Sequence, residues 1–121
     1  MTVTSHTSCL TVEERHTAAA MGSGDLPVLA TPALVALMEN AAMLAARSLL
    51  APEQTTVGAS ISVKHLKPSP IGSTIEAVAT LDSRDGKRLT FTITARQDGL
   101  AVGEATHTRY IVDAKRFLER C

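Results

Sequence analysis

TPALVALMENAAMLAARSLL, residues 31–50, is apolar almost all the way round a helical turn. Thr31 followed by Pro32 reads as an N-cap and a first helical residue, where proline's missing N–H costs nothing. From Ala33 to Leu50 the residues are strong helix formers, and only Glu39 and Arg47 carry charge. Pro52 closes the run. A carboxylate near the middle argues against a membrane span. A helix that is apolar on every face is buried on most faces. In a chain of 121 residues that implies one central helix wrapped by the rest.

The wrapping follows in sequence. Residues 56–67, TVGASISVKHLK, alternate, with Val57, Ala59, Ile61, Val63 and His65 on one face and Gly58, Ser60, Ser62 and Lys64 on the other. Residues 73–83, 87–97 and 100–112 alternate in the same way, and Asp85-Gly86 and Asp98-Gly99 mark hairpin turns between them. Upstream, residues 10–18 predict a first strand and 20–30 a loop rich in breakers (Gly22, Gly24, Pro27), with 1–9 a flexible N-terminal segment. Asp113 is placed to cap a short last helix. The order strand, helix, four strands is an α+β pattern. A long central helix enclosed by a curved antiparallel five-stranded sheet, in one domain over 1–121, is the hotdog arrangement.

Composition narrows function. Lys+Arg and Asp+Glu both number 12, with one Tyr, two Phe and no Trp. Neither a cationic surface nor a stacking platform for nucleic acid is available. Cys9 and Cys121 have no metal-ligand spacing and read as free thiols of a reducing cytoplasm. The start, MTVTSHTSCL, has neither the basic nor the apolar region of a leader.

Four residues carry candidate chemistry. Glu39 lies mid-helix among apolar neighbours, where a carboxylate is costly unless it works as a general base or nucleophile, or lies on a narrow solvated stripe. His65 ends an apolar strand face that looks at the same helix, as a catalytic imidazole or a satisfied core histidine. Thr31 sits at the positive end of the helix dipole. Gly58 is an isolated strand glycine, a mark of a bulge or of close backbone approach. His107, on the Gly103–Ala105 face, is structural or supports the site; His6 and His16 read as surface residues.

These residues stand in a pattern. Thr31, Leu37-Met38-Glu39, Val57-Gly58 and Val63-Lys64-His65 follow the order seen in the fluoroacetyl-CoA thioesterase branch of the hotdog thioesterases, and GEATHTRYIV at 103–112 is similar to that branch's last strand. The resemblance implies an acyl-CoA thioesterase acting on short or medium acyl chains. It implies a catalytic triad of Thr31, Glu39 and His65, with the Gly58 backbone near the thioester oxygen and no cofactor or metal. It also implies a homodimer, or a tetramer of two such dimers, with the strand at 56–67 pairing with its twin. In one respect the chain departs from the branch: HTAAAMGSGDLPVLA, before Thr31, holds no aromatic residue, whereas the branch has an aromatic lid. A non-catalytic acyl-CoA-binding module of the same fold is the alternative reading.

Overall fold

The computed structural model describes residues 3–121. Five strands form one antiparallel sheet: β1 (Ser5–Thr11), β2 (Gln54–His65), β3 (Thr74–Asp85), β4 (Arg88–Gln97) and β5 (Leu100–Asp113), in the spatial order β1-β3-β4-β5-β2. Between β1 and β2 the chain forms a short helix α1 (Ala18–Met21) and the long helix α2 (Thr31–Ala46), which runs into a 3₁₀ turn at Arg47–Leu49. Helix α3 (Ala114–Glu119) follows β5, capped by Asp113, whose carboxylate accepts from the Arg116 N–H. The fold is hotdog-like, with the sheet curled around α2.

Alternation explains the core. Ile75, Ala77 and Ala79 of β3 and Leu89, Phe91, Ile93 and Ala95 of β4 are fully buried, facing Leu34, Met38, Ala41 and Ala42 of α2. Burial of the larger of these side chains contributes roughly 1.5–3 kcal/mol each. The small residues matter as much. A Cβ on Gly103 would lie 2.8 Å from Leu34 Cδ2 and 3.0 Å from Met38 Cε, so any larger residue would push these buried side chains of α2 back from β5. The β4–β5 hairpin turns at Asp98 and Gly99, whose φ angles of 51° and 80° both lie in the left-handed region that Asp-Gly tolerates.

Three sequence expectations need correction. The first strand is Ser5–Thr11, not 10–18, so residues 5–9 form a paired edge strand where a flexible segment was expected. Its seven residues pair with β3, and Ser8 Oγ donates to Asn40 Oδ1 of α2 at 2.7 Å. Residues 14–21 coil into a 3₁₀ turn and α1 instead, because Thr17 caps α1 through Ala20 N–H. The cap of α2 is Ala30; Thr31 is the first helical residue and makes no capping bond, so its hydroxyl is free for another partner.

The third correction concerns β2. Its register with β5 slips between Gly58 and Ser60, leaving Ala59 as an extra residue. A bulge of one residue reverses which side chains face inward. Before it, Thr56 and Gly58 face α2, opposite the buried Ile111 and Arg109; after it, Ile61, Val63 and His65 do. Val57 and Ala59 therefore do not share a face with His65, and Gly58 does.

Candidate active site

Two groups of polar side chains lie between α2 and the inner face of the sheet. The first is at the start of α2. Thr31 Oγ1 and His65 Nδ1 are 2.8 Å apart, a strong hydrogen bond made possible because Thr31 does not cap its own helix. The Nε2 atom of His65 is buried and has no hydrogen-bond partner among the described residues. Burial lowers the pKa of this imidazole; the Lys67 backbone offsets part of that without closing a well-formed bond. The ring is therefore neutral at pH 7. A cavity of about 310 Å³ opens beside it, lined by Ala18, Val28, Leu29, Thr31, His65 and Lys67.

The second group is centred on Glu39. Its carboxylate lies 3.5 Å from Arg109 Nη1 and 4.0 Å from His107 Nε2. The Arg109 side chain is only 7% exposed. It is satisfied by its own strand pair: Nε donates to Thr56 Oγ1 at 2.9 Å and Nη2 to the Thr56 carbonyl at 3.1 Å. His107 Nδ1 lies 2.7 Å from the Ser60 carbonyl, to which it must donate. The neutral ring then turns its Nε2 lone pair toward Arg109 Nη1, 3.2 Å away. Burial is the main cause that lowers the His107 pKa; the Ser60 bond raises it, Arg109 lowers it and Glu39 raises it. The result is a cation fixed by neutral acceptors, facing one carboxylate that is 40% exposed.

Gly58 completes this group. A Cβ there would lie 2.6 Å from Glu39 Oε2, 3.3 Å from Arg109 Nη1 and 3.4 Å from His107 Cε1. The glycine is the floor on which the carboxylate rests. Its role follows from space and not from an unusual φ.

Within one chain the triad does not converge. Thr31 and His65 meet, and Glu39 and Gly58 meet, but the two pairs are apart: eight residues, roughly 12 Å, along α2, and seven residues, roughly 20 Å, along β2. Glu39 is also less buried than the apolar helix suggested. Sequence reading missed Arg109 altogether. The signal was present: on the buried alternation of β5, Gly103–Ala105–His107–Arg109–Ile111, a guanidinium needs an anion, and Glu39 is the carboxylate of the facing helix.

The profile of the fluoroacetyl-CoA-specific thioesterase family matches residues 12–115. The chain belongs to this family. It is 33% identical over 90 residues to the fluoroacetyl-CoA thioesterase of Streptantibioticus cattleyicolor, an alignment covering 74% of this chain and 65% of that relative's length. A crystal structure of a mutant fluoroacetyl-CoA-specific thioesterase superposes with a TM-score of 0.90 at 28% identity, covering 99% of this chain and 94% of that one. A hot-dog-like protein from Thermanaerovibrio acidaminovorans aligns with a TM-score of 0.88 at 19% identity, over 98% of this chain and 87% of its own, a likeness of fold alone. No helix among the described residues is long and apolar enough to cross a membrane. The described cysteines, Cys9 and Cys121, are free and exposed.

Proposed function

We propose that the protein is an acyl-CoA thioesterase, cleaving a short- or medium-chain acyl-CoA to the free acid and CoA. One observation carries this reading. A solvent-reachable carboxylate, Glu39, rests on a glycine backbone beside a buried cation, Arg109, held by Thr56. Glu39 acts on the thioester carbon, either by taking a proton from water as that water adds or by adding itself and being released by water. The C–S bond breaks, the thiolate leaves and takes up the proton, and the net reaction consumes one water. Arg109, 3.5 Å away, fixes the direction in which the Glu39 carboxylate points. Thr31 either donates to the carbonyl oxygen, with a His65 Nδ1–H donating to the Thr31 oxygen, or accepts from the water and passes its own proton to neutral His65. The Gly58 N–H is the further donor to the developing oxyanion, an interaction typically worth ~3 kcal/mol.

The two half-sites account for the expected homodimer. β2 is an edge strand with an unpaired side, a liability unless something pairs with it. An antiparallel pairing with the same strand of a second copy, about a two-fold axis near Ile61 and Ser62, sets Gly58 opposite the partner's counterpart of His65. Each dimer then holds two complete sites, with Thr31 and His65 from one chain and Glu39 and Gly58 from the other. The cell compartment consistent with this reading is the cytoplasm.

The test is incubation with a panel of acyl-CoAs and mass detection of free CoA. Hydrolysis of acetyl-CoA or a longer homologue supports the reading; binding without turnover makes the chain an acyl-CoA-binding module instead. Light scattering at micromolar concentration is expected to give twice 12.8 kDa or a multiple of it. A monomer would refute the shared site.

A further inference from the structure

His107 is a buried titratable side chain to which the hydrolysis proposed for Glu39 assigns no step. It is 2% exposed, and four elements converge on it. From β2 the Ser60 carbonyl lies 2.7 Å from Nδ1. From β4 the Phe91 ring stands with its centroid 6.4 Å from that of the imidazole. From its own strand, Arg109 Nη1 lies 3.2 Å from Nε2, and from α2, Glu39 Oε2 lies 4.0 Å from the same nitrogen. Arg109 and Glu39 are the charged groups that act on the ring.

The Ser60 carbonyl selects the tautomer. A carbonyl can only accept, so Nδ1 carries the hydrogen and the neutral ring keeps its lone pair on Nε2. Ser60 follows the bulge at Ala59, where the ladder is disrupted and a strand carbonyl can serve a side chain. Arg109 Nη1 bears two hydrogens. One meets the His107 lone pair, and the other points at Glu39 Oε2, 3.5 Å away. Thr56 holds Nε and Nη2 but does not touch Nη1, whose partners among the described residues are His107 and Glu39.

We infer that His107 is a positioning residue of the reaction: as the Nδ1–H tautomer held by Ser60, it anchors Arg109 Nη1 so that the second hydrogen of Nη1 fixes the Glu39 carboxylate. The inference rests on the thioesterase reading for the rate it controls and on geometry alone for the anchoring. A protonated ring donates from both nitrogens. Its Nε2–H would face the Nη1 hydrogens, donor against donor and cation against cation, and the anchor would be lost. Burial first, and Arg109 after it, lower the pKa of His107, so this loss belongs to the acid side of neutrality.

Two uncharged substitutions separate the ring nitrogens. His107→Asn sets an amide near the place of Nδ1 and nothing at Nε2. His107→Gln reaches the place of Nε2 with a carbonyl oxygen that accepts from Nη1. His107→Asn is expected to lower kcat for acetyl-CoA roughly tenfold or more, with KM within about twofold, whereas His107→Gln keeps kcat within about threefold of wild type. In a Glu39→Gln background, His107→Asn is expected to lower the residual turnover no more than about twofold, because it acts through Glu39. Equal losses in the Asn and Gln variants, or a full further loss in the Glu39→Gln background, would overturn the inference and leave a purely structural histidine. The anchoring itself is read without turnover. Nitrogen-15 NMR of wild-type protein at pH 7 is expected to show His107 protonated at Nδ1 and bare at Nε2. The Arg109 Nε–H is expected to exchange with water more slowly in wild type and His107→Gln than in His107→Asn. An Nε2–H tautomer, or equal exchange in all three proteins, would overturn the anchor. If wild-type protein hydrolyses no acyl-CoA, the thioesterase reading falls, while the tautomer and the Arg109 exchange still decide the anchor.

Discussion

Gly58→Ala adds one methyl group to the floor beneath Glu39. Its Cβ would meet Arg109 Nη1 at 3.3 Å and His107 Cε1 at 3.4 Å, contacts that a few tenths of an ångström relieve. Glu39 Oε2 is different, at 2.6 Å. Ordinary contact needs about 3.5 Å, so the carboxylate must retreat by about 1 Å. It has room, because its side chain is 40% exposed. The alanine itself is unstrained, since Gly58 is not among the residues with positive φ. Reduced freedom of the unfolded chain stabilises by roughly 0.4–1 kcal/mol, and loosening the Glu39–Arg109 contact costs about 1 kcal/mol or less. The two nearly cancel, so the urea midpoint is expected to stay close to that of the wild type. Turnover does not share that cancellation: a misplacement of about 1 Å at the chemistry costs on the order of a hundredfold. Free CoA measured by mass, beside urea unfolding of the same preparation, separates the two effects. A folded Gly58→Ala protein with turnover within a few-fold of wild type would refute the placement of Glu39 over Gly58 as the determinant of rate.

Glu39→Gln is expected to lower turnover on the order of a hundredfold or more, as loss of a base or nucleophile does. With Arg109 facing Glu39, the variant is expected to lose about 1 kcal/mol in urea unfolding. Arg109→Lys removes the forked contacts to Thr56, and the denaturation midpoint should drop by the equivalent of about 1–3 kcal/mol. The kcat/KM for acetyl-CoA should rise with pH and level off, with its step below the ordinary histidine value of 6.5, because burial lowers the His65 pKa and only the neutral ring accepts a proton. Thr31→Ala should lower that plateau and keep the step, whereas His65→Ala should lower the plateau and move or abolish the step. Stability has the same sign: His65 and His107 bind protons less readily folded than unfolded, so it is full above about pH 6.5 and falls as pH drops through the lowered values. Thermal melts at pH 7 and pH 5 check this, and His107→Gln should show the smaller difference.

Much of the architecture was legible because its signals are local. The apolar run after Thr31-Pro32, the alternation of residues 73–83 and 87–97, and the Asp-Gly turns each imply one backbone conformation within a few residues. The errors arose where distant groups decide. Residues 5–9 have little hydrophobic pattern of their own; what makes them a strand is the free edge of β3 and the Ser8–Asn40 bond. Thr31 matches a cap in sequence, yet its hydroxyl binds His65, 34 positions on. Counting by two along β2 failed at Ala59: Gly58 signalled a bulge, but the alternation was counted straight through it. For the site, residue types pointed to Glu39, His65, Thr31 and Gly58, but not to the grouping of Glu39 with Arg109 and His107. That grouping is set by the alternation of β5, which puts His107 and Arg109 on the face toward Glu39.

Ala59 also marks where β2 can lose a residue at little cost to the site. Without it, Gly58 opposite Arg109 and Ser60 opposite Thr108 would become consecutive pairs, and Thr56, Gly58, Ile61, Val63 and His65 would all keep facing α2. What would go is the local kink and extra twist of the strand. The neighbouring position behaves differently. Loss of Val57 would set Thr56 directly before Gly58; with Gly58 held opposite Arg109, Thr56 would turn away from the guanidinium it holds. A one-codon deletion is thus tolerable at an exposed alanine and damaging two positions upstream.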